Sequence, residues 1–339
     1  MPTSKNLLLY ALALVVIAFV VSGIPRVTLE LLSDDHDHDD PIALGTNIWA
    51  GYEPLYLARK TGLLADSDAR LLEFSSSTQV MRAFANGTID AATLTLDEVL
   101  SLRDAGIVVV VILVLDMSSG GDAIVAHPEF SKIESLRGQR IAVESTALGA
   151  LMLSRALAKN GLRLTDVEVV SVEIDEQELF LSRGDVDAAV TFSPMLERLK
   201  DRGMVEVFSS REIPGEVVDV LVATPHLVEA HSDKLVALAE SWFAALDVID
   251  AEPQRAAELM APRLGVTPSD VLLMFQGLEF PDVAGNLEFL SSESSRIAET
   301  ARILNQVLVD AGFLDDEVDV ESLYSDSIIR VVASQRQGQ

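Results

Sequence analysis

The sequence predicts an α/β protein built from two similar halves and a helical tail. Residues 84–95 and 180–191 share one pattern: a helix end, a glycine, and a buried strand that begins with Asp-Ala-Ala. Strand and helix patterns alternate up to residue 223, which indicates parallel sheets with crossover helices. Residues 225–312 are almost wholly helical in pattern. Breaks in this helical stretch are predicted at Pro253, Pro262, Pro268 and Pro281.

In the first half, capping residues separate the predicted strands from the predicted helices. Pro54 opens a helix that Gly62 ends, residues 75–78 cap a second helix, and Asp97 caps a third. The predicted strands of this half are 42–49, 70–74, 89–95 and 107–115. A polar, glycine-rich crossing, residues 116–122, then leads into the second half.

The second half repeats this order. Its predicted strands are 140–144, 167–172, 186–192 and 217–223, and its predicted helices are 146–160 and 175–183. Both Asp-Ala-Ala strands end in hydroxyl residues, Thr93 and Thr95 in one half and Thr191 and Ser193 in the other. Polar groups at the carboxyl ends of strands in two similar halves favour one ligand held between the halves.

Composition excludes several classes of function. The chain has 339 residues, 49% of them hydrophobic, which is enough for two domains with a large core. Its formal charge is 25 − 53 = −28, so nucleic acid and anionic membrane surfaces are disfavoured as partners. It contains no cysteine, which excludes disulfides, thiolate metal sites and a cysteine nucleophile.

The N-terminus carries a targeting pattern. Lys5 precedes an uncharged apolar run, residues 7–24, so residues 1–26 are predicted to be a signal peptide or an uncleaved signal anchor. Either form places the rest of the chain in the periplasm or another extracytoplasmic space, and residues 7–24 would tether it if retained. Residues 27–41 are predicted to be an acidic linker. Its two histidines and five aspartates suit either a weak metal site or a charged spacer.

Four stretches resemble one family. They are residues 49–59, with the sequence Trp-Ala-Gly-Tyr-Glu-Pro-Leu-Tyr-Leu-Ala-Arg, residues 82–92, residues 116–126 and residues 136–149. In order and spacing the chain resembles, from about residue 42 to about residue 290, the solute-binding proteins of ABC importers for nitrate, aliphatic sulfonates, taurine and thiamine pyrimidine precursors.

The resemblance implies a type II periplasmic binding protein fold, with two Rossmann-like lobes joined by a two-strand hinge. Lobe one would comprise residues 42–121 and 221–335, with the helical tail packed on it, and lobe two residues 122–220. It also implies a monomer that binds a small solute between the lobes, without a cofactor. A permease in the inner membrane would then receive the solute.

Ligands of this family bind at strand ends and helix N-termini between the lobes. The residues of this chain at such positions are Asn47, Trp49, Tyr52, Glu53, Ser76, Ser77, Thr95, Asp97, Asp116, Ser118, Asp122, Glu144, Thr146, Thr191, Phe192 and Asp219. Ser77, Asp97 and Thr146 are equally explained as helix caps, and Trp49 as a core residue. Asp90 and Asp187 are predicted to have structural roles.

The charges of these candidates indicate a ligand with an amino group. Six of them are acidic, whereas Arg59 and Arg82 lie on helices and are expected to face outward. A bare anion such as nitrate needs a cation or many N–H donors. A zwitterion or an aminopyrimidine therefore fits this pattern better than nitrate.

An enzyme and a sensor are the alternatives to a transport protein. Beyond the linker, the histidines are His127, His226 and His231, and none lies at a predicted strand end beside a nucleophile. There is no nucleophile elbow, phosphate loop or zinc-protease motif, so catalysis is not predicted. A membrane-tethered ligand-sensing ectodomain of the same fold remains the alternative, since a retained residue 7–24 segment would suit it.

Two substitutions follow from the sequence. Trp49→Ala is expected to weaken solute binding with little loss of folding. Asp97→Ala is expected to weaken binding if the carboxyl contacts solute, and to leave affinity unchanged if Asp97 is only a helix cap.

Overall fold

The computed structural model describes residues 40–291 and 295–338, and two β-sheets organise them. The strands are β1 (Ile42–Thr46), β2 (Ala69–Glu73), β3 (Ala91–Thr95), β4 (Val110–Ser118), β5 (Asp122–Ala126), β6 (Arg140–Val143), β7 (Glu168–Ser171), β8 (Ala188–Phe192), β9 (Val205–Ser209), β10 (Val218–Ala223) and β11 (Leu278–Glu279). The predicted targeting segment and nearly all of the predicted linker lie outside the described residues.

Thirteen α-helices surround the sheets in the described ranges. They are α1 (Glu53–Thr61), α2 (Ser77–Ala85), α3 (Leu96–Asp104), α4 (Ala147–Lys159), α5 (Gln177–Arg183), α6 (Met195–Asp201), α7 (Pro225–Ala230), α8 (Ser232–Ala251), α9 (Pro253–Leu264), α10 (Pro268–Phe275), α11 (Val283–Leu290), α12 (Arg296–Asp310) and α13 (Ser327–Gln337). Among the described residues, none of these helices combines the length and the apolar character that crossing a membrane requires.

The two sheets have corresponding strand orders. The large sheet runs β11-β4-β10-β3-β1-β2 and the small sheet β7-β6-β8-β5-β9. Strands β1, β2 and β3 are parallel, as are β6, β7 and β8, but β10 is antiparallel to β3 and β5 is antiparallel to β8. The expected parallel sheets are therefore present in β1–β3 and β6–β8, and the antiparallel strands β5 and β10 were not expected. The chain enters each sheet from the other sheet, at the carboxyl ends of the parallel strands. The entering strand, β5 or β10, therefore runs antiparallel to them.

The repeated Asp-Ala-Ala pattern makes the same bond in both halves. Asp90 Oδ2 accepts a hydrogen bond from the Ala43 backbone N–H at 2.9 Å, and Asp187 Oδ2 accepts one from the Arg140 backbone N–H at 2.9 Å. Each carboxylate thus fixes the start of the neighbouring strand, β1 or β6. The predicted structural role of both aspartates is confirmed.

Three predicted details were wrong. The N-cap of α3 is Thr95, and Asp97 lies inside the first turn instead of capping it. Pro262 lies within α9 and does not break it. The pattern near residues 195–209 was also missed, although it forms α6 and β9. For Pro262 the physical reason is packing, because a buried helix tolerates a local signal that would end an isolated one.

The helical tail packs on the large-sheet half, as the resemblance implied. Helix α8 lies against α1, α13 lies against α8, and α11 and α13 lie against β4. Helix α12 contacts both α3, beside the large sheet, and α4, beside the small sheet. The tail therefore completes the core of the first half and also contacts the second half.

The chain passes between the sheets twice, and a serine joins the two crossings. Residues 119–121 connect β4 to β5, and residues 210–217 connect β9 to β10. Ser210 Oγ lies 2.8 Å from Ser118 Oγ and accepts a hydrogen bond from the Gly120 backbone N–H at 2.7 Å. All of β10 belongs to the large sheet, whereas the expected border between residues 220 and 221 cuts through it. The residue ranges of the two lobes stay a prediction.

Candidate functional site

A small cavity lies between the two sheets, where the strand ends of both halves meet. Its volume is about 20 Å³, enough for roughly one water molecule and too small for an organic solute. The large-sheet half contributes Asn47, Trp49, Tyr52, Ser77, Thr95, Glu98 and Asp219, and the small-sheet half contributes Asp122, Leu148 and Phe192. The two halves are therefore closed on one another at this point.

Eight of the sixteen sequence-predicted site residues line this cavity, and five more are buried near it. Asp116 accepts a hydrogen bond from the Trp49 indole, and Ser118 Oγ accepts one from the Asp122 backbone N–H at 3.1 Å. Ser76, Asp97 and Thr191 adjoin lining residues in the sequence and are also buried. The structure thus gathers most of the predicted residues into one place.

A larger groove adjoins this cavity. Its volume is about 450 Å³, and it runs between α2 and α3 on one side and β6, β7 and α4 on the other. The predicted residues Glu144 and Thr146 line it, and Thr146 also caps α4 by accepting a hydrogen bond from the Gly149 backbone N–H. Cavity and groove are neighbours along the same elements, since Ser77 lines the first and Thr78 lines the second.

Glu53 is a predicted site residue that lines neither the cavity nor the groove. Its carboxylate forms an ion pair with Arg263, whose guanidinium also reaches Glu73 Oε2 at 2.6 Å and lies over the Tyr56 ring at 3.3 Å from the centroid. Burial raises the pKa of Glu53 to about 7 even though Arg263 acts to lower it. Arg263 comes from α9 in the tail, so nothing near Glu53 in the sequence indicated this partner.

The aromatic residues of the cavity hold carboxyl groups at the crossings. Trp49 Nε1 donates to Asp116 Oδ2 at 3.3 Å, and the Tyr52 hydroxyl donates to Asp219 Oδ1 at 2.5 Å. Asp116 and Asp219 lie opposite one another on β4 and β10. Burial raises the pKa of Asp116 to about 8, and burial with repulsion from Asp116 raises the pKa of Asp219 well above its usual range.

Glu98 is the functional candidate that sequence reasoning missed. It is the third residue of α3, and its Oε2 accepts a hydrogen bond from the Thr95 backbone N–H at 3.1 Å. The Thr-x-x-Glu capping box at residues 95–98 could have drawn attention to it, but that pattern alone indicates only a helix start. Burial raises the pKa of Glu98.

Two acids of the small-sheet half also line these spaces, Asp122 the cavity and Glu144 the groove. Burial raises the pKa of Asp122 to about 7, and repulsion from Glu98 acts in the same direction. Burial raises the pKa of Glu144 to about 8, again with repulsion from Glu98. The two halves therefore present acidic groups to each other.

Trp49 is tightly packed against Phe192 and Gly121. Its ring meets Phe192 edge-on at a centroid distance of 5.8 Å, and a Cβ added at Gly121 would lie 2.6 Å from Trp49 Cη2. Only 4% of Trp49 is exposed. Trp49→Ala would leave a cavity that typically costs about 3–5 kcal/mol, so the expectation of little loss of folding does not fit this packing.

The stability of the protein should fall as pH rises from mildly acidic to mildly basic. Glu53, Asp116, Asp122 and Glu144 have folded-state pKa values of about 7 to 8, above those of unfolded carboxyl groups. Between those two ranges the folded state binds more protons than the unfolded state, so the free energy of unfolding decreases with rising pH. The midpoint of thermal unfolding should drop between about pH 5.5 and pH 8, and Glu144→Gln should reduce that drop. A midpoint that rises over this range would contradict the assignment.

The comparisons with known proteins agree on family and fold. The NMT1-like family matches residues 35–264. The taurine-binding periplasmic protein of Escherichia coli K12 is 25% identical over 303 residues, which cover 84% of this chain and 91% of that protein. The alkanesulfonate-binding protein SsuA from Xanthomonas axonopodis pv. citri, bound to MOPS, superimposes with a TM-score of 0.70 at 17% identity, over 84% of this chain and 98% of that one.

An enzyme has the same fold. The desulfurization enzyme DSZB superimposes with a TM-score of 0.64 at 17% identity, over 87% of this chain and 99% of that one. The fold by itself therefore does not separate binding from catalysis. The family match covers more than half of the sequence, and the two sheets with their paired crossings match the solved structures. The chain thus belongs to the NMT1-like family and has the type II periplasmic binding protein fold, with two Rossmann-like lobes joined by a two-strand hinge and a helical C-terminal part packed on the first.

Proposed function

We propose that this protein is the extracytoplasmic substrate-binding component of an ABC importer. It captures a small organic solute between its two lobes and delivers it, as a monomer, to a permease in the inner membrane. The observation that carries this proposal is the convergence of strand ends and helix starts from both sheets on one cavity and its adjoining groove. Its similarity to a taurine-binding periplasmic protein supports the same role.

Capture requires the cleft to open. A cavity of about 20 Å³ cannot admit a solute, so solute enters when the lobes rotate apart about the crossings at residues 119–121 and 210–217. Closure then buries the solute between β3 and α3 on one side and β5, β6 and α4 on the other. In this proposal lobe one comprises residues 42–121, β10 and the tail, and lobe two comprises the chain between the crossings.

The solute classes to test follow from the family. Taurine, alkanesulfonates and aminopyrimidines related to thiamine precursors are the first candidates. We propose binding without catalysis, since the cavity is lined by carboxyl, hydroxyl, amide and aromatic groups with no cysteine or histidine among them. The experiment is a thermal-shift screen of the purified full-length chain against these three classes, nitrate and amino acids. A ligand-dependent rise in melting temperature supports solute capture, and no rise with any class contradicts it.

Trp49→Phe tests the predicted contact between Trp49 and solute with less damage to folding than Trp49→Ala. The phenyl ring keeps the edge-on contact with Phe192 and removes the indole N–H that Asp116 accepts. We expect weaker binding of the solute found in the screen, by about tenfold, because Asp116 is released and part of the ring surface is lost. Affinity is measured by titration calorimetry, with Phe275→Leu, outside the cavity, as control. Equal affinity of Trp49→Phe and the original protein would remove Trp49 from the site.

A further inference from the structure

We infer that the solute is an organic cation, whose ammonium group lies between Glu98 and Glu144 and whose apolar body lies in the adjoining groove. This rests on the proposed solute-binding function and names the chemical class of the solute. The cation would form ion pairs with acids of both lobes and so stabilise the closed form.

The first support is the position of the acids on opposite sides of the cleft. Glu98 comes from α3 of the large-sheet half, whereas Asp122 and Glu144 come from the small-sheet half. They are 1%, 2% and 5% exposed. Like charges this deeply buried repel strongly, so two ionised faces would resist closure unless a positive charge lies between them.

The second support concerns the hydrogen bonding of their carboxyl oxygens. Glu98 Oε1, Asp122 Oδ2 and Glu144 Oε1 are buried, and within the described ranges they have no hydrogen-bond partner. Glu98 and Asp122 line the cavity, and Glu144 lines the adjoining groove. Buried carboxylate oxygens are normally paired, so unpaired ones in two adjoining spaces indicate a missing donor.

The third support is that no lysine or arginine is among the described residues that line the cavity with Glu98 and Asp122. The charges that act on Asp122 and Glu144 are those of the acids Glu98 and Glu173. Arg82 lines the adjoining groove. Elsewhere in this protein a buried acid has its own cation, as Glu53 has Arg263. At Glu98 and Asp122 the solute is left to supply the positive charge.

A metal ion is the simpler cation, and the geometry does not favour it. No group of three or more His, Cys, Asp or Glu side chains is placed to hold a metal ion anywhere in residues 40–291 and 295–338. The groove next to Glu144 is instead lined mainly by apolar side chains, among them Met81, Val143, Leu153 and Phe313, together with the cation Arg82. A volume of about 450 Å³ beside an acidic end suits a molecule with a charged head and an apolar body.

Binding of such a solute should release protons. Burial keeps a fraction of these carboxyls protonated near neutral pH in the free protein, and an ammonium group favours their ionised form. Affinity should therefore rise as pH increases from about 6 to about 8. An anionic sulfonate placed at the same point would take up protons instead, and its affinity would fall over that range.

The test compares two probes of equal length and opposite charge, hexylamine and hexane-1-sulfonate, on the full-length protein. Titration calorimetry at one pH in two buffers of different ionisation enthalpy measures the protons exchanged. We expect hexylamine to bind with proton release and to bind at least about tenfold more tightly than the sulfonate.

Two variants locate the ammonium group. Glu98→Gln keeps the capping box of α3, because glutamine serves that position as well as glutamate, and Glu144→Gln removes the opposing charge. Each should lower hexylamine affinity at least about tenfold and reduce proton release. Glu258→Gln, an exposed acid on α9, removes the same charge far from the cleft and should change neither.

The outcomes separate this inference from the function on which it rests. Binding of hexane-1-sulfonate or taurine without binding of hexylamine would overturn the cationic class and leave solute capture intact. Hexylamine binding that both glutamine variants retain in full would overturn the position between Glu98 and Glu144. If neither probe binds and no solute of the wider screen raises the melting temperature, the cation inference and the proposed function both fail.

Discussion

Arg263→Ala is expected to lower the free energy of unfolding by about 3–5 kcal/mol, the usual loss when one partner of a buried ion pair is removed. The Glu53 side chain is 1% exposed and that of Arg263 18% exposed, so the remaining carboxylate would have little access to water. The substitution also removes the guanidinium from the Tyr56 ring and from Glu73. Urea unfolding followed by circular dichroism measures the loss.

Two comparisons make that result specific. Arg255→Ala, on the same helix, removes an exposed arginine that pairs with exposed Glu252, and no measurable change is expected. The double variant Glu53→Gln with Arg263→Met should be more stable than Arg263→Ala alone, because it leaves no buried charge unpaired. If Arg263→Ala is as stable as Arg255→Ala, the ion pair does not contribute to folding.

Asn286→Leu is expected to lower the free energy of unfolding by about 3 kcal/mol, since it leaves two buried backbone groups without partners. Asn286, from α11, is fully buried; its Oδ1 accepts from the Val114 N–H at 2.7 Å, and its Nδ2 donates to the Val114 carbonyl at 3.0 Å. β11 pairs with β4 only at Met117 and Ser118. The side-chain amide of Asn286 therefore makes the two backbone hydrogen bonds at Val114 that a neighbouring strand would make.

Leucine has the same branching and number of side-chain heavy atoms as asparagine, so the main change is the loss of the hydrogen bonds, with a smaller cost because its methyl groups are larger than the amide groups. The control is Asn86→Leu, at an exposed helix end, for which a change within about 0.5 kcal/mol is expected. Chemical denaturation measures both. Equal stability of the two variants would mean that water or a backbone shift satisfies Val114 in place of the side chain.

The local elements of the fold were largely readable from the sequence. Gly62 adopts a φ of 78° and ends α1 as predicted, and Thr146 caps α4. Both depend on neighbours within a few residues, so the sequence pattern carries the necessary information. One local prediction failed: Thr95 caps α3 in place of Asp97, and Glu98 Oε2, three residues further on, accepts a hydrogen bond from the Thr95 backbone N–H at 3.1 Å.

The candidate site was likewise predicted in part from local patterns. The sequence indicated which residues stand at strand ends, since strand periodicity and the repeated Asp-Ala-Ala pattern are local. It did not indicate that the charge of Glu98, beside the large sheet, would raise the pKa of Glu144, beside the small sheet, because residues far apart in the chain come near one another only when both crossings are in place. It also did not indicate that Glu53 would be engaged by Arg263.

By itself, the sequence determined the α/β class, the two repeated halves, the helical tail, the family resemblance and an acid-rich set of candidate residues. Only the tertiary structure decided which acids are buried together, which has a protein cation, and that the cleft is closed around a space for one water. The reason is physical: secondary structure follows hydrogen bonds and periodicity over a few residues, whereas the burial and pairing of a charge depend on groups brought together from distant parts of the chain.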